Sequence, residues 1–138
     1  LRMEKGYVYW SSDVTPDYTP YEAGLDFRGH LKSKGDFIGR AALEKIKADG
    51  PKQKLWTFTV DDDVSLYGGE TIYLNGKYIS LTTSGNYGHT VGKSIALGYL
   101  SEEYAEHTDF EIEAFGKRYP AKRHTEGLYD PNMERLKA

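Results

Sequence analysis

Alternation of apolar and polar residues is concentrated in the second half of the chain, where it predicts a series of short β-strands. Residues 55–60 read Leu-Trp-Thr-Phe-Thr-Val, which is the period-two pattern of a half-buried strand. Residues 91–100 form a further apolar run that predicts another strand. Its glycines, Gly92 and Gly98, are the positions where we expect a bulge or a bend.

Two pairs of strands are predicted to form tight hairpins. Residues 71–74 and 77–84 flank Asn75-Gly76, a dipeptide that favours the left-handed backbone of a two-residue turn. Residues 110–115 and 118–122 flank Gly116-Lys117 in the same way. About five or six short strands result, and a small Greek-key barrel is the expected arrangement because closure removes exposed sheet edges.

The first half of the chain has helical periodicity instead. Residues 36–49 carry apolar side chains at helical spacing, Asp36 stands where an N-cap is expected, and Gly50-Pro51 ends the pattern. Thr19-Pro20-Tyr21-Glu22 has the form of a capping box, which predicts a short helical turn that ends at Gly24. Residues 6–10 are expected to be the end of a strand that enters a loop.

These patterns divide the chain near Pro51. Residues 1–51 are expected to be the last strand, loop and helix of an α+β domain. Residues 52–138 are expected to form the barrel, followed by a polar tail from His124 that lies along the surface or docks elsewhere. The predicted fold class is therefore mainly β with some α.

Composition and charge limit the functions that remain. Of the 138 residues, 38% are hydrophobic and 28% are charged, which is the balance of a folded soluble domain, and no apolar run approaches the ~20 residues of a transmembrane helix. A net charge of −3 gives no basic field for nucleic acid or anionic membranes. The absence of Cys excludes a disulfide framework, thiol catalysis and zinc–thiolate sites. Because the sequence starts with Leu1 and has no signal segment, we expect it to be the end of a longer protein.

Most clusters of polar residues are better explained as surface or turn than as a reactive site. The four histidines lack the spacing of metal ligands, and Asp61-Asp62-Asp63 lacks the Gly and the distal Glu of a calcium loop, so no metal site is predicted. Ser84 does not lie in a Gly-x-Ser-x-Gly elbow and is expected in a strand that ends at a glycine turn. The basic residues on either side of Tyr119 would offer a strip for a polynucleotide, but the acidic chain and the hairpin role of this segment argue against it.

Glu4 is the remaining candidate, because it is a carboxylate in an apolar and aromatic neighbourhood. Burying such a group is costly unless it is paired. One interpretation is an ion pair with Arg2 or Lys5 on a strand. The other is a recognition carboxylate that accepts two N–H donors from a flat heterocycle such as a pterin, a guanine or an amidine. Residue chemistry alone leaves both open.

Several motifs, taken in order, resemble a known family. They are residues 1–7 (Leu-Arg-Met-Glu-Lys-Gly-Tyr), 19–25 (Thr-Pro-Tyr-Glu-Ala-Gly-Leu), 36–43 (Asp-Phe-Ile-Gly-Arg-Ala-Ala-Leu), 82–85 with 92–99, and 116–121. Together they resemble the folate-binding aminomethyltransferases, which include the glycine cleavage system T-protein. Residues 128–136 resemble the tail of the flavin-dependent dimethylglycine and sarcosine dehydrogenases, which carry a T-protein-like region after their flavin region.

This resemblance implies a partial site for tetrahydrofolate. In the family, an upstream folate-binding domain and a terminal β-barrel enclose the cofactor, so residues 1–51 would be the end of the first and residues 52–138 the second. The glutamate of the Leu-Arg-x-Glu motif binds the pterin ring, and here it is Glu4. The family's catalytic aspartate lies upstream of this motif, so we predict no catalytic residue in this chain. An arginine that holds the folate's carboxylate end has no counterpart before Asp36. Lys32 is the first candidate to supply positive charge there and Lys34 the other, while the alternative that both are simply exposed loop lysines stays open.

The function implied is that of the C-terminal portion of a tetrahydrofolate-dependent one-carbon transfer enzyme, fused to a flavin amine dehydrogenase that acts on N-methyl glycines. FAD and the small amine substrate would be bound upstream, and the chain alone is expected to be inactive. The alternatives are a stand-alone T-protein-like aminomethyltransferase and a non-catalytic β-barrel interaction module. We expect no nucleic-acid or membrane partner, and either the bacterial cytoplasm or the mitochondrial matrix as the location.

Overall fold

The chain folds around a β-barrel that is accompanied by three short helices. The computed structural model describes residues 1–26, 31 and 35–137. The helices are α1 (Arg2–Lys5), α2 (Arg40–Asp49) and α3 (Glu134–Lys137). The strands are β1 (Gln53–Val60), β2 (Thr71–Leu74), β3 (Lys77–Gly88), β4 (Lys93–Ser101), β5 (Asp109–Ala114) and β6 (Lys117–His124). No helix in the described part of the chain is both long and apolar enough to cross a bilayer.

The six strands form a closed barrel in the order β1-β4-β3-β2-β5-β6, and every neighbouring pair is antiparallel. Strand β1 lies beside β4 rather than beside β2, which is the Greek-key arrangement. Closure between β6 and β1 pairs Thr57 with His124 at one end and Val60 with Ala121 at the other. The predicted fold class, mainly β with a small Greek-key barrel, is confirmed.

The hairpin turns follow from residues that tolerate a left-handed backbone. Asn75 and Gly76 have φ values of 51° and 77°, as a type I′ turn requires, so the predicted β2–β3 hairpin is confirmed. In the β5–β6 hairpin the turn residues are Phe115 and Gly116, with φ values of 52° and 74°. The turn begins one residue earlier than predicted, because Ala114 pairs with Lys117.

The barrel interior is filled by aliphatic and aromatic side chains from its strands. The rings of Phe58 and Phe110 meet edge to face, with centroids 5.6 Å apart. The other buried members are Val60, Val64, Leu66, Ile72, Ala96, Leu100, Ile112, Ala114 and Ala121. Their burial is the main source of stability for a fold of this size.

Strand β4 is buried on both faces, from Ser94 to Leu100. One face lines the barrel core, and the other carries Ile95 and Leu97, which pack against Met3 of α1 and the half-buried Leu128 of the tail. The apolar run predicted for this strand is therefore confirmed, and its lack of alternation has a cause. Segments from both ends of the chain cover the outside of the barrel at this strand.

The N-terminal predictions are partly wrong. Residues 6–10 are not a strand, because α1 ends at Gly6 (φ 69°) and a loop follows. Helix α2 begins at Arg40 rather than at Asp36, and its N-cap is Gly39, so Asp36 caps nothing there. The capping box is confirmed, since the Glu22 carboxylate accepts a hydrogen bond from the Thr19 amide at 2.8 Å and Thr19 Oγ1 accepts one from the Glu22 amide at 3.2 Å.

Strand β3 also differs from its prediction, because it continues through Ser84-Gly85 to Gly88 instead of ending at a glycine turn. The register between β3 and β4 shifts between Thr82 and Ser84, opposite Gly98. The irregularity expected at Gly98 is therefore present as a bulge on its partner strand. A Cβ atom at Gly98 would lie 2.8 Å from Ile72 Cδ1, so the glycine also lets the core close over it.

Candidate functional site

Glu4 lies on α1, and its side chain is buried against the loop between β3 and β4. Its Oε1 atom accepts hydrogen bonds from the backbone amides of Thr90 at 2.6 Å and Val91 at 3.2 Å. Its Oε2 atom is used by neither amide and lies 3.6 Å from the amino group of Leu1, which is fully exposed. Only 3% of Glu4 is exposed.

The β3–β4 loop is shaped to receive this carboxylate. The amide of Gly92 donates to the Gly88 carbonyl at 2.7 Å and closes the turn that presents the Thr90 and Val91 amides. Gly88 has no side chain to obstruct the approach, since a Cβ there would lie 2.5 Å from Ile95 Cδ1 and 3.2 Å from Glu4 Cγ. The turn therefore acts as a small anion-binding pocket of backbone N–H groups.

Burial raises the pKa of Glu4 and the hydrogen bonds from Thr90 and Val91 lower it, with the net result that the pKa lies below its ordinary value. The carboxylate is accordingly ionised at neutral pH. It is a fixed negative charge with one oxygen anchored on the protein.

Neither ion pair considered for Glu4 is formed. Arg2 pairs instead with Asp13 through Nη1–Oδ2 at 2.9 Å, and Lys5 pairs with Asp130 through Nζ–Oδ2 at 3.2 Å. Glu4 also lies on a helix and not on a strand. The interpretation of an ordinary strand ion pair is therefore wrong, because each cation has a partner more distant in sequence.

Asp13 joins the N-terminal segment to the barrel, and its side chain is completely buried. Besides Arg2, its carboxylate accepts hydrogen bonds from the Tyr9 amide at 2.8 Å and from Thr83 Oγ1 at 2.5 Å. Its carbonyl accepts one from the Tyr99 hydroxyl at 2.8 Å. No local pattern in the sequence predicts this role, since Thr83 and Tyr99 are far from Asp13 along the chain.

Lys32, the other candidate site residue, lies outside the residues that the structure describes. The described part of the chain contains no group of three or more His, Asp or Glu side chains that could hold a metal ion. In the last hairpin, the Arg118 guanidinium stacks on Tyr73 at 3.7 Å and pairs with Glu113 at 3.3 Å, and Arg123 stacks on Trp56 at 4.0 Å.

His124 ends β6, where its Nε2 atom lies 2.8 Å from Thr59 Oγ1. Burial, together with the positive charges of Lys93, Lys122 and Arg123, lowers the pKa of His124 below its ordinary value. The unfolded chain therefore binds this proton more readily than the folded chain. The free energy of unfolding should fall as the pH drops through the ordinary histidine pKa of about 6.5.

We expect His124→Gln to reduce this loss of stability, measured by urea unfolding at about pH 7.5 and about pH 5.5. The matched control is His107→Gln, since His107 is exposed. It should keep the pH dependence of the original chain. An unchanged pH dependence in His124→Gln would contradict the assignment.

Comparison with known proteins identifies the family of this barrel. The glycine cleavage T-protein C-terminal barrel domain matches residues 53–130, which is more than half of the chain. The chain belongs to this family. The crystal structure of the glycine cleavage system aminomethyltransferase T from Bartonella henselae superposes with a TM-score of 0.83 over 95% of the chain and 37% of that protein. At 24% identity this likeness concerns the fold alone.

The relatives include two mitochondrial dehydrogenases and an aminomethyltransferase. The chain is 41% identical to dimethylglycine dehydrogenase of Rattus norvegicus and 37% identical to sarcosine dehydrogenase of Homo sapiens, both mitochondrial, over 99% of its length and 16% of theirs. It is 38% identical to an aminomethyltransferase of Prochlorococcus marinus over 88% of its length and 33% of that protein. The chain thus spans about a sixth of the dehydrogenases and a third of the aminomethyltransferase. The predicted resemblance to T-protein and to the N-methylglycine dehydrogenases is confirmed.

Proposed function

We propose that this chain is the C-terminal portion of a tetrahydrofolate-dependent one-carbon transfer enzyme, in which Glu4 anchors the pterin ring. Residues 1–51 would end the folate-binding domain, and residues 52–138 would be the barrel that closes it. The observation that carries the proposal is the buried, ionised Glu4 carboxylate, held in place by the Thr90 and Val91 amides. Membership of the T-protein barrel family supports the same assignment.

The Glu4 carboxylate fits the edge of a pterin. That edge presents a ring N–H and an exocyclic amino group side by side, and a carboxylate accepts both in charge-assisted hydrogen bonds. The bonds from Thr90 and Val91 use Oε1, so neither of these amides occupies the lone pairs of Oε2. Because Oε1 is already fixed, little freedom remains to be lost when a ligand binds.

The chain would supply only part of the folate site. The chain spans about a sixth of its dehydrogenase relatives and a third of the aminomethyltransferase, so further walls of the site would have to come from the rest of the enzyme. Accordingly, we expect the isolated chain to bind little or no tetrahydrofolate.

Bound tetrahydrofolate would accept the one-carbon unit released when an N-methyl amine is oxidised. The part played by this chain is to orient the pterin through Glu4 and to help exclude water with the barrel wall. We assign no catalytic residue here. FAD and the N-methylglycine substrate would be held by an upstream region, and Lys32 stays a candidate for the carboxylate end of the folate.

Glu4→Gln in the full-length protein tests the pterin assignment. Glutamine keeps a carbonyl oxygen for the Thr90 and Val91 amides, but it replaces the other oxygen with an NH₂ group that faces the donors of the pterin. We expect binding of 5-formyltetrahydrofolate, measured by calorimetry, to weaken by about 1–3 kcal/mol. The control is Glu106→Gln at an exposed position, which should leave the affinity unchanged. Unchanged affinity in Glu4→Gln would reject the role of Glu4.

A stand-alone T-protein-like aminomethyltransferase is the close alternative. Its folate site would be the same, so the coding sequence upstream decides between the two. A flavin-type Gly-x-Gly-x-x-Gly motif there would favour the fused dehydrogenase. The mitochondrial matrix fits relatives named as mitochondrial, and the bacterial cytoplasm fits the aminomethyltransferase of Prochlorococcus marinus.

A non-catalytic interaction module is the second candidate. It is favoured by large aromatic side chains that stand at the surface, among them Tyr9, Trp10 and Tyr67. Salt-sensitive micromolar binding of RNA in a filter assay, or a protein partner captured without any folate affinity in the full-length protein, would favour this function. The acidic net charge of −3 argues against RNA as the partner of such a module.

A further inference from the structure

The tail after β6 runs across the helix that carries Glu4. We name residues 127–130 the C-terminal strap. The amide of Tyr129 donates to the Glu4 carbonyl at 2.9 Å, so the strap holds the backbone of the same residue whose carboxylate is held by the β3–β4 loop. Leu128 packs beside Met3 under α1.

The first residue of the strap must be small. A Cβ atom at Gly127 would lie 2.7 Å from the Lys5 carbonyl oxygen and 3.1 Å from the Lys5 carbonyl carbon. Gly6 lies on the opposite side of this contact, and a Cβ there would lie 3.6 Å from Gly127 Cα. Two backbones therefore meet without side chains between them, which fixes their separation.

Asp130, the last residue of the strap, makes contacts both with Lys5 of α1 and with the start of α3. Lys5 Nζ donates to the Asp130 carbonyl at 2.6 Å and to Asp130 Oδ2 at 3.2 Å, and both side chains are largely buried. Asp130 Oδ1 accepts the Glu134 amide at 2.7 Å and so begins α3. Asp130 adopts a left-handed backbone (φ 46°), which costs free energy that these contacts must offset.

We propose that the C-terminal strap is a positioning element for the Glu4 carboxylate, with Gly127 and Asp130 as its positioning residues. Glu4 is held at its carbonyl by the strap and at its carboxylate by Thr90 and Val91. Helix α1 has only four residues, so it cannot hold its own position without such contacts. Releasing the strap would let α1 shift and would withdraw Oε1 from the two amides.

The direct test does not use a ligand. The pKa of Glu4 in the 138-residue chain is followed by carbon-13 NMR titration, with the resonance assigned by its loss in Glu4→Gln. In Gly127→Ala we expect the pKa to rise towards its ordinary value, because the hydrogen bonds that lower it are weakened. Hydrogen exchange of the Thr90 and Val91 amides should be at least about tenfold faster. Gly35→Ala is the control, since no residue that the structure describes lies within 4 Å of a Cβ there.

Asp130→Asn is the second variant and serves if Gly127→Ala does not fold. Removing a negative charge would by itself lower the pKa of a nearby carboxyl group, so a rise in the Glu4 pKa can come only from a loosened strap. Asp61→Asn is the control, because it removes an exposed ion pair with Lys93. An unchanged or lowered Glu4 pKa in Asp130→Asn, with unchanged amide exchange, would overturn the proposal.

A second measurement rests on the proposed function. In the full-length protein, Gly127→Ala or Asp130→Asn should weaken binding of 5-formyltetrahydrofolate about tenfold, while a folded barrel is retained. If the original protein binds no reduced folate but the Glu4 pKa still rises in the variants, the proposed function fails and the strap proposal stands. If the protein binds folate and neither variant changes the affinity or the Glu4 pKa, the strap proposal fails and the function stands.

Discussion

Replacing Asp13 with alanine is expected to lower the free energy of unfolding by about 3–5 kcal/mol. The substitution removes the shared acceptor of three donors, namely the Arg2 guanidinium, the Tyr9 amide and the Thr83 hydroxyl. The Tyr9 amide would lose its acceptor, the Thr83 hydroxyl would keep only the Leu97 carbonyl at 3.3 Å, and Arg2 would lose its charged partner. Urea unfolding at neutral pH, followed by tryptophan fluorescence, measures the effect.

Asp61→Ala is the matched control for Asp13→Ala. It also removes a carboxylate from an ion pair, in this case with Lys93 at 2.7 Å, but 74% of the Asp61 side chain is exposed. Exposed pairs contribute about 0–1 kcal/mol, so little stability should be lost. A loss below about 1 kcal/mol in Asp13→Ala would mean that the buried network is not what fastens the N-terminal segment.

Replacing Gly85 with alanine is the second large effect, and we expect a loss of about 3 kcal/mol. A Cβ atom at Gly85 would lie 2.6 Å from Leu66 Cβ and 2.7 Å from the Leu66 carbonyl oxygen. Rotation of a side chain cannot relieve a contact with backbone atoms, so the segment that places Leu66 in the core would have to move. Thermal unfolding by circular dichroism measures the change.

Gly35→Ala is the control for Gly85→Ala, because a Cβ at Gly35 has no described residue within 4 Å. It should leave the midpoint of unfolding nearly unchanged. Equal midpoints for Gly85→Ala and Gly35→Ala would show that Leu66 does not lie against β3 as described.

These contacts explain how a four-residue helix can hold the Glu4 carboxylate in a fixed position. Arg2 is tied through Asp13 to the barrel, Lys5 is tied to Asp130, and Glu4 lies between them with both its carbonyl and its carboxylate bound. The geometry of the proposed pterin anchor therefore depends on the β3–β4 loop and on the tail as much as on its own motif.

The sequence predicted the elements whose signals are local. Asn75-Gly76 specified a two-residue turn because both residues accept positive φ, and Thr19 and Glu22 formed the expected capping box. Helical periodicity also predicted α2, although this helix has no buried residue and Ile38 before it is fully exposed.

Local reasoning failed where distant segments meet. Residues 6–10 have strand-forming side chains, but Gly6 ends α1 and the Tyr9 carbonyl closes a turn with the amides of Asp13 and Val14. The sequence predicts a turn at Gly85, whereas this residue lies inside β3. Leu66 packs directly against its backbone, where a side chain would not fit. In both cases a contact with another part of the fold outweighed propensity.

By itself, the sequence determined the strands, the hairpins, the barrel class and the family, because these depend on patterns that neighbouring residues carry. It also singled out Glu4 as a carboxylate in an apolar setting. Only the tertiary structure decided that the Val91 and Thr90 amides bind this carboxylate. It also decided that Asp13 and the C-terminal strap hold the helix that carries it, through Arg2, Lys5 and the Glu4 carbonyl. Backbone amides leave no trace in residue type, and pairings across more than eighty positions depend on barrel closure, so no local pattern contains them.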